Sequence, residues 1–163
     1  MPANKVLVVK VDPLARPSGL LVPEVARRIL ETAENHFEDL DPNLYTAQVM
    51  ARLWAGDETV LVLALVEDGT YKVVGHAVAE VAQHGKHKWV FVSQTKADQN
   101  VGDAIKRAIL LADEWGKQHG CTRMVMATTR PDTAWKRKYG FDTMRHLMVR
   151  KLGSAVAEEG SEG

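Results

Sequence analysis

The densest run of groups able to do chemistry is Gln94-Thr95-Lys96-Ala97-Asp98-Gln99-Asn100-Val101-Gly102-Asp103-Ala104, which joins the end of a strand pattern to the start of a long amphipathic helix pattern. A helix N-terminus presents unpaired N–H groups and partial positive charge, a combination suited to a phosphate. Gly102 and Ala104 keep the surface low, and Lys96, Lys106 and Arg107 place positive charge nearby. Asp103 works against this, because a carboxylate in the first turn competes with an anion for the same dipole. The run also fits an ordinary strand-to-helix turn, so its glycine alone leaves both readings open.

Candidate acid–base groups lie just upstream. In a strand, alternate residues share a face, so His76, Val78 and Glu80 point the same way. That face is either the wall of a cleft or a solvated surface. The pair His84-x-x-His87 suggests a metal ligand set, but two imidazoles without cysteine or a nearby acidic cluster do not complete one, and no metal is assigned. Cys121, which follows Gly120, reads as a small core residue. The triplet Lys136-Arg137-Lys138 reads as a solvated helix face or a phosphate contact.

Positioning these groups requires a particular order of elements. Val6–Val11 is β-branched and short, a strand. After a proline-containing loop, Val22, Ala26, Ile29, Ala33 and Phe37 mark one face of a helix that opens at Pro23. Asn43 is a candidate cap for a second helix, Leu44 to Trp54, burying Ala47, Met50, Leu53 and Trp54. Thr59–Glu67, Tyr71–Val81 and Trp89–Val92 read as an antiparallel meander with turns at Asp68-Gly69 and His84-Gly85-Lys86. Ile105, Ala108, Ile109, Ala112 and Trp115 mark a third helix, followed by a strand at Arg123–Thr129, a short helix at Pro131–Lys138 and a final strand at Thr143–Lys151. The pattern β-α-α-β-β-β-α-β-α-β predicts an α/β fold: one domain over residues 1–152, a mixed, mostly antiparallel sheet of six to seven strands, and about four flanking helices. Residues 153–163 are small and acidic, and read as a tail.

Composition narrows the classes. The chain has 163 residues, 45% hydrophobic and 26% charged, with 21 basic and 21 acidic side chains. That suits one domain of about 100–200 residues. The longest apolar run, Val60–Val66, is far short of the roughly 20 residues a membrane span needs. A single cysteine excludes an internal disulfide and a cysteine-rich zinc site, which makes a reducing, cytoplasmic setting the expectation. Residues 1–95 carry 9 basic and 12 acidic side chains, whereas residues 96–151 carry 12 and 6. In a neutral protein such a basic half reads as a focused anion site rather than a nucleic-acid surface, or as a solvated basic face.

Gln99-Asn100-Val101-Gly102-Asp103-Ala104 resembles the Q/R-x-x-G-x-G/A signature of the GNAT superfamily, the acyl-CoA-dependent N-acetyltransferases. The order of elements over residues 5–151 is similar to that family, and Lys138-Tyr139-Gly140-Phe141 is similar to its K-x-G-F ending. A looser likeness extends to small GNAT-like proteins of tailed bacteriophages. The resemblance implies acetyl-CoA as cosubstrate, with its pyrophosphate on Gln99, Asn100, Val101, Gly102, Asp103 and Ala104. Its pantetheine arm would lie along the backbone of Val92, Ser93 and Gln94, where the fourth and fifth strands part. An unidentified primary amine would attack the thioester directly, with Glu80 as the candidate base. Family members place a tyrosine four residues before the glycine of Gly-Phe as the acid for the leaving thiolate; here that position is Lys136. The unperturbed values of the two side chains are close, about 10.4 for Lys and about 10 for Tyr. The missing tyrosine leaves a second class in view, a catalytically inactive GNAT-like structural or interaction protein with a protein assembly partner, located in a virion if phage-encoded. An exposed final strand could also pair two copies into a homo-oligomer.

Overall fold

The computed structural model describes residues 5–36, 41–126, 137–142, 152–153 and 155–157. The chain divides into two compact units, residues 1–129 and 130–163. The first contains β1 (Val6–Lys10), a 3₁₀ turn (Ser18–Leu21), α1 (Val22–His36), α2 (Pro42–Trp54), β2 (Val60–Glu67), β3 (Val73–His84), β4 (His87–Ala97), α3 (Ala104–Gln118) and β5 (Arg123–Met126). The sheet order is β1-β2-β3-β4-β5. β1 to β4 are antiparallel neighbours, and β5 runs parallel to β4. A parallel step needs a crossover, which α3 supplies.

The apolar run of β2 is explained by burial on both faces. Val60, Val62, Ala64 and Val66 pack with Val25 and Ile29 of α1 and Val49 of α2. Leu61 and Leu63 pack on the other side with Ala112 and Trp115 of α3. A strand covered twice has no position for a polar residue until its end, at Glu67. On α3, Gly116 does the fitting: a Cβ there would overlap the side chain of Val90 in β4.

The mixed, mostly antiparallel α/β sheet with helices on both faces agrees with the expectation from sequence. Five strands are described against the six to seven expected; the expected final strand, Thr143–Lys151, lies outside the described residues. In the second unit, Arg137–Tyr139 is helical and Gly140 follows at a φ of 71°. No described helix is long and apolar enough to cross a membrane.

Two details of the helices differ from the sequence reading. α1 buries Val25 rather than Ala26 beside Val22, Ile29 and Ala33. The cap of α2 is Asp41, not Asn43: its carboxylate accepts from the N–H groups of Asn43 (3.0 Å) and Leu44 (3.1 Å), and Pro42 takes the first helical position. The inward side of α2 is Tyr45, Val49, Met50 and Leu53. Ala47 faces out, and Trp54 is 55% exposed because the last residue of the helix turns about 100° past Leu53.

Candidate active site

The loop before α3 is held from beneath and open above. Val101 and Ala104 are buried against Val6, Leu65 and Val74. The N–H of Asp98 donates to Val74 O (2.8 Å), which fixes the exit from β4. Between these anchors Asn100 and Gly102 take φ values of 65° and 62°. Glycine meets that requirement without the Cβ conflict that makes left-handed backbone costly, and asparagine tolerates it. A Cβ on Gly102 would meet nothing within 4 Å, so the space above it is free for a ligand. Asp103, the N-cap of α3, makes no side-chain cap hydrogen bond. The first-turn N–H groups of α3 are therefore not capped by their own N-cap side chain, as an anion site requires.

Two charged neighbours of this loop differ from the sequence reading. Asp103, instead of capping α3, accepts from Arg107 one turn along the same helix (3.1 Å). Arg107 also donates to Val6 O at 2.6 Å, so it ties α3 to β1 instead of standing free for a phosphate. Lys96, Gln99 and Lys106 are exposed.

The second feature is a bulge in β4. Val78 pairs with Gln94 and Ala79 with Val92, leaving Ser93 as the extra residue. Regular alternation would put Ser93 and Gln94 on opposite faces; the bulge puts both toward α1 and α2. Gln94 donates from Nε2 to Ile29 O in α1 (3.2 Å) and accepts at Oε1 from His76 (2.6 Å). Ser93 Oγ lies 2.7 Å from Tyr45 Oη in α2 and 3.4 Å from Val78 O. The described part of the parallel β4–β5 ladder pairs Trp89 with Arg123 through Val92 with Met126.

A cleft of about 590 Å³ opens at Ser93, between α2 and the sheet. Its wall includes Tyr45, Arg52, Val60, Val78, Glu80 and Ser93. Burial is the main force raising the Tyr45 hydroxyl above its ordinary value, with the Glu80 charge acting in the same direction and the bond to Ser93 against it. Tyr45 therefore enters the cleft as a neutral hydroxyl.

His76, Val78 and Glu80 do share a face, on which His76 and Val78 are buried and Glu80 is part-exposed. His76 is 3% exposed, and burial lowers its imidazole to about 4. It is a core residue, not a base in the cleft. Glu80 reaches the cleft, where its Oε2 is 2.5 Å from Arg52 Nη1. Arg52 also binds Asp57 (2.9 Å) and Thr59 (2.9 Å). Lys136 lies outside the described residues. His84 and His87 pair across the β3–β4 turn, and among the described residues no group of three metal-ligating side chains occurs. Cys121 is half-buried, and burial raises its thiol.

Tyr45 and Arg52 are the site residues that sequence reasoning missed. Both lie on α2, and the apolar periodicity through Ala47, Met50, Leu53 and Trp54 passes over them.

No family model and no curated protein matches the sequence. Solved structures do match its fold. Glucosamine-6-phosphate N-acetyltransferase from Arabidopsis thaliana superposes with a TM-score of 0.64 at 9% identity, over 91% of this chain and 99% of that one. An acetyltransferase from Trypanosoma brucei gives 0.62 at 12%, over 91% and 100%. A predicted acetyltransferase from Clostridium acetobutylicum, solved with acetyl-CoA, gives 0.63 at 13%, over 89% and 96%. At such identities the likeness is one of architecture, and it extends over nearly the whole length of both partners. The chain has the GNAT acetyltransferase fold.

Proposed function

We propose that the protein transfers an acetyl group from acetyl-CoA to a primary amine. The observation that carries this reading is the pairing of two features in one unit of the fold: a helix N-terminus opened by Gly102, and a bulge at Ser93 in the strand that leads into it. The loop fits a pyrophosphate because its backbone takes left-handed φ at Asn100 and Gly102 and the space above Gly102 is free. Gln99 to Ala104 would bind that group, and the backbone of Val92, Ser93 and Gln94 would hold the pantetheine arm and its thioester carbonyl. A backbone N–H fixed toward a carbonyl oxygen stabilises the charge that grows there during attack.

The acceptor would enter the cleft between α2 and the sheet. Its nitrogen forms the new C–N bond while the C–S bond breaks and sulfur keeps the electron pair. Glu80 is the carboxylate in the cleft wall able to take the proton that nitrogen must lose. The test is thiol release from acetyl-CoA in the presence of benzylamine, spermidine and lysine-containing peptides. Release that depends on both acetyl-CoA and an amine supports the reading.

A second reading draws on the ion pair between Arg52 and Glu80, which occupies part of the carboxylate a base would need. It is a non-catalytic protein of the same fold that engages a macromolecular partner. Failure to bind acetyl-CoA by the folded protein would favour it.

A further inference from the structure

We infer that Ser93 and Tyr45 form a hydroxyl relay that carries the proton of the attacking amine from the bulge of β4 toward Glu80. The inference rests on the acetyltransferase reading and adds to it two residues and a direction for the proton.

Three observations support it. First, the two hydroxyl oxygens are 2.7 Å apart, and either can donate, so the bond can reverse without either side chain moving. Second, they come from separate elements, and the bulge is what brings them together. In an unbulged β4, Ser93 would face α3, away from Tyr45. Third, Ser93, Tyr45 and Glu80 all line the same cleft, from the strand where the thioester would lie outward to a carboxylate held by Arg52.

The steps balance. The amine nitrogen bonds to the acyl carbon and becomes positively charged. Its proton passes to Ser93 Oγ as Ser93 gives its own proton to Tyr45 Oη, and Tyr45 releases its proton to Glu80 or to water in the cleft. The C–S bond breaks with its electron pair on sulfur, and the thiolate takes a proton from solvent while Glu80, where it received the relayed proton, returns it to solvent. Each hydroxyl ends the cycle with one proton, as it began. A neutral phenol suits this task, since a relay must hold a proton in order to pass one on, and the burial of Tyr45 keeps it neutral. Among the described residues, the charged groups in the cleft wall are Arg52 and Glu80, and Arg52 also holds Asp57.

The experiment compares wild type, Tyr45→Phe, Ser93→Ala, Ser93→Thr and the double variant Tyr45→Phe/Ser93→Ala, with benzylamine as acceptor. Acetyl-CoA binding and Tm are measured for each. General acid–base assistance is worth roughly 100-fold or more in rate. Tyr45→Phe and Ser93→Ala should each lower kcat at least tenfold, with the acetyl-CoA Kd and Tm close to wild type. The double variant should fall no further than the single ones, because one path is broken in each case. Ser93→Thr, which restores a hydroxyl, should recover most of the rate lost in Ser93→Ala. A residue that only packs the cleft would give additive losses and no recovery by threonine. Additive losses, or kcat within twofold of wild type in Tyr45→Phe, would overturn the relay while leaving the acetyltransferase reading intact. Acetyl-CoA binding by wild type without turnover would also overturn the relay. Absence of acetyl-CoA binding by wild type would remove both.

Discussion

His76 Nε2 lies 2.6 Å from Gln94 Oε1 beneath α1, and Gln94 Nε2 in turn donates to Ile29 O. This order fixes the proton. The amide oxygen can only accept, so His76 must donate from Nε2, and its Nδ1 stays unprotonated in a buried position without a partner among the described residues. A second proton there would put a charge into the core.

The consequence is a pH dependence of stability with a defined sign. The folded imidazole is lowered to about 4, against 6.5 when exposed. Between those values the unfolded chain binds more protons, so stability falls as pH drops through that window. The protein should be about 2 kcal/mol less stable at pH 5 than at pH 7.5, measured by urea unfolding. His76→Gln, which can still donate to Gln94, should flatten this part of the profile. An equally steep profile in the variant would show that another group carries the effect.

Gly116→Ala should destabilise the protein even though alanine is the better helix former. The gain in propensity is about 1 kcal/mol in an exposed helix. Here the added methyl meets Val90, and overpacking of this kind costs about 1–3 kcal/mol. Thermal unfolding should show a lower Tm. An unchanged or raised Tm would mean that α3 can shift on β4 without cost.

Asp41→Ala removes the cap of α2, since both bonds to Asn43 and Leu44 come from that carboxylate. The expected loss is about 1 kcal/mol. Because α2 carries Tyr45 and Arg52, the same variant should weaken acetyl transfer more than acetyl-CoA binding. Equal losses of both would place the disturbance outside the cleft.

The sheet was legible in the sequence because its patterns are local. The run Val60–Val66 announces a strand buried on both faces, and the alternation of His76, Val78 and Glu80 places them together. The loop Gln99–Ala104 was visible as well, since glycine and helix onset lie within six residues. The chemistry at Ser93 was not. A bulge depends on which residues pair across two strands, and nothing in Phe91-Val92-Ser93-Gln94 shows that two neighbours will share a face. The ion pair of Arg52 with Glu80 joins residues 28 apart, and only the packing of α2 decides it. Tyr45 was hidden because Ala47 and Trp54 drew the expected buried face toward themselves, whereas both are exposed.

Titration of acetyl-CoA into wild type and Gly102→Trp by calorimetry tests the central claim most directly. The indole would fill the open space above the loop, and circular dichroism would check that the variant folds, since a left-handed φ costs a residue other than glycine about 1–2 kcal/mol. The account predicts wild-type binding with a Kd on the order of micromolar and at least about a tenfold weakening in the folded variant. Equal binding by both proteins would move the pyrophosphate elsewhere. No binding by well-folded wild type would contradict the acetyltransferase account.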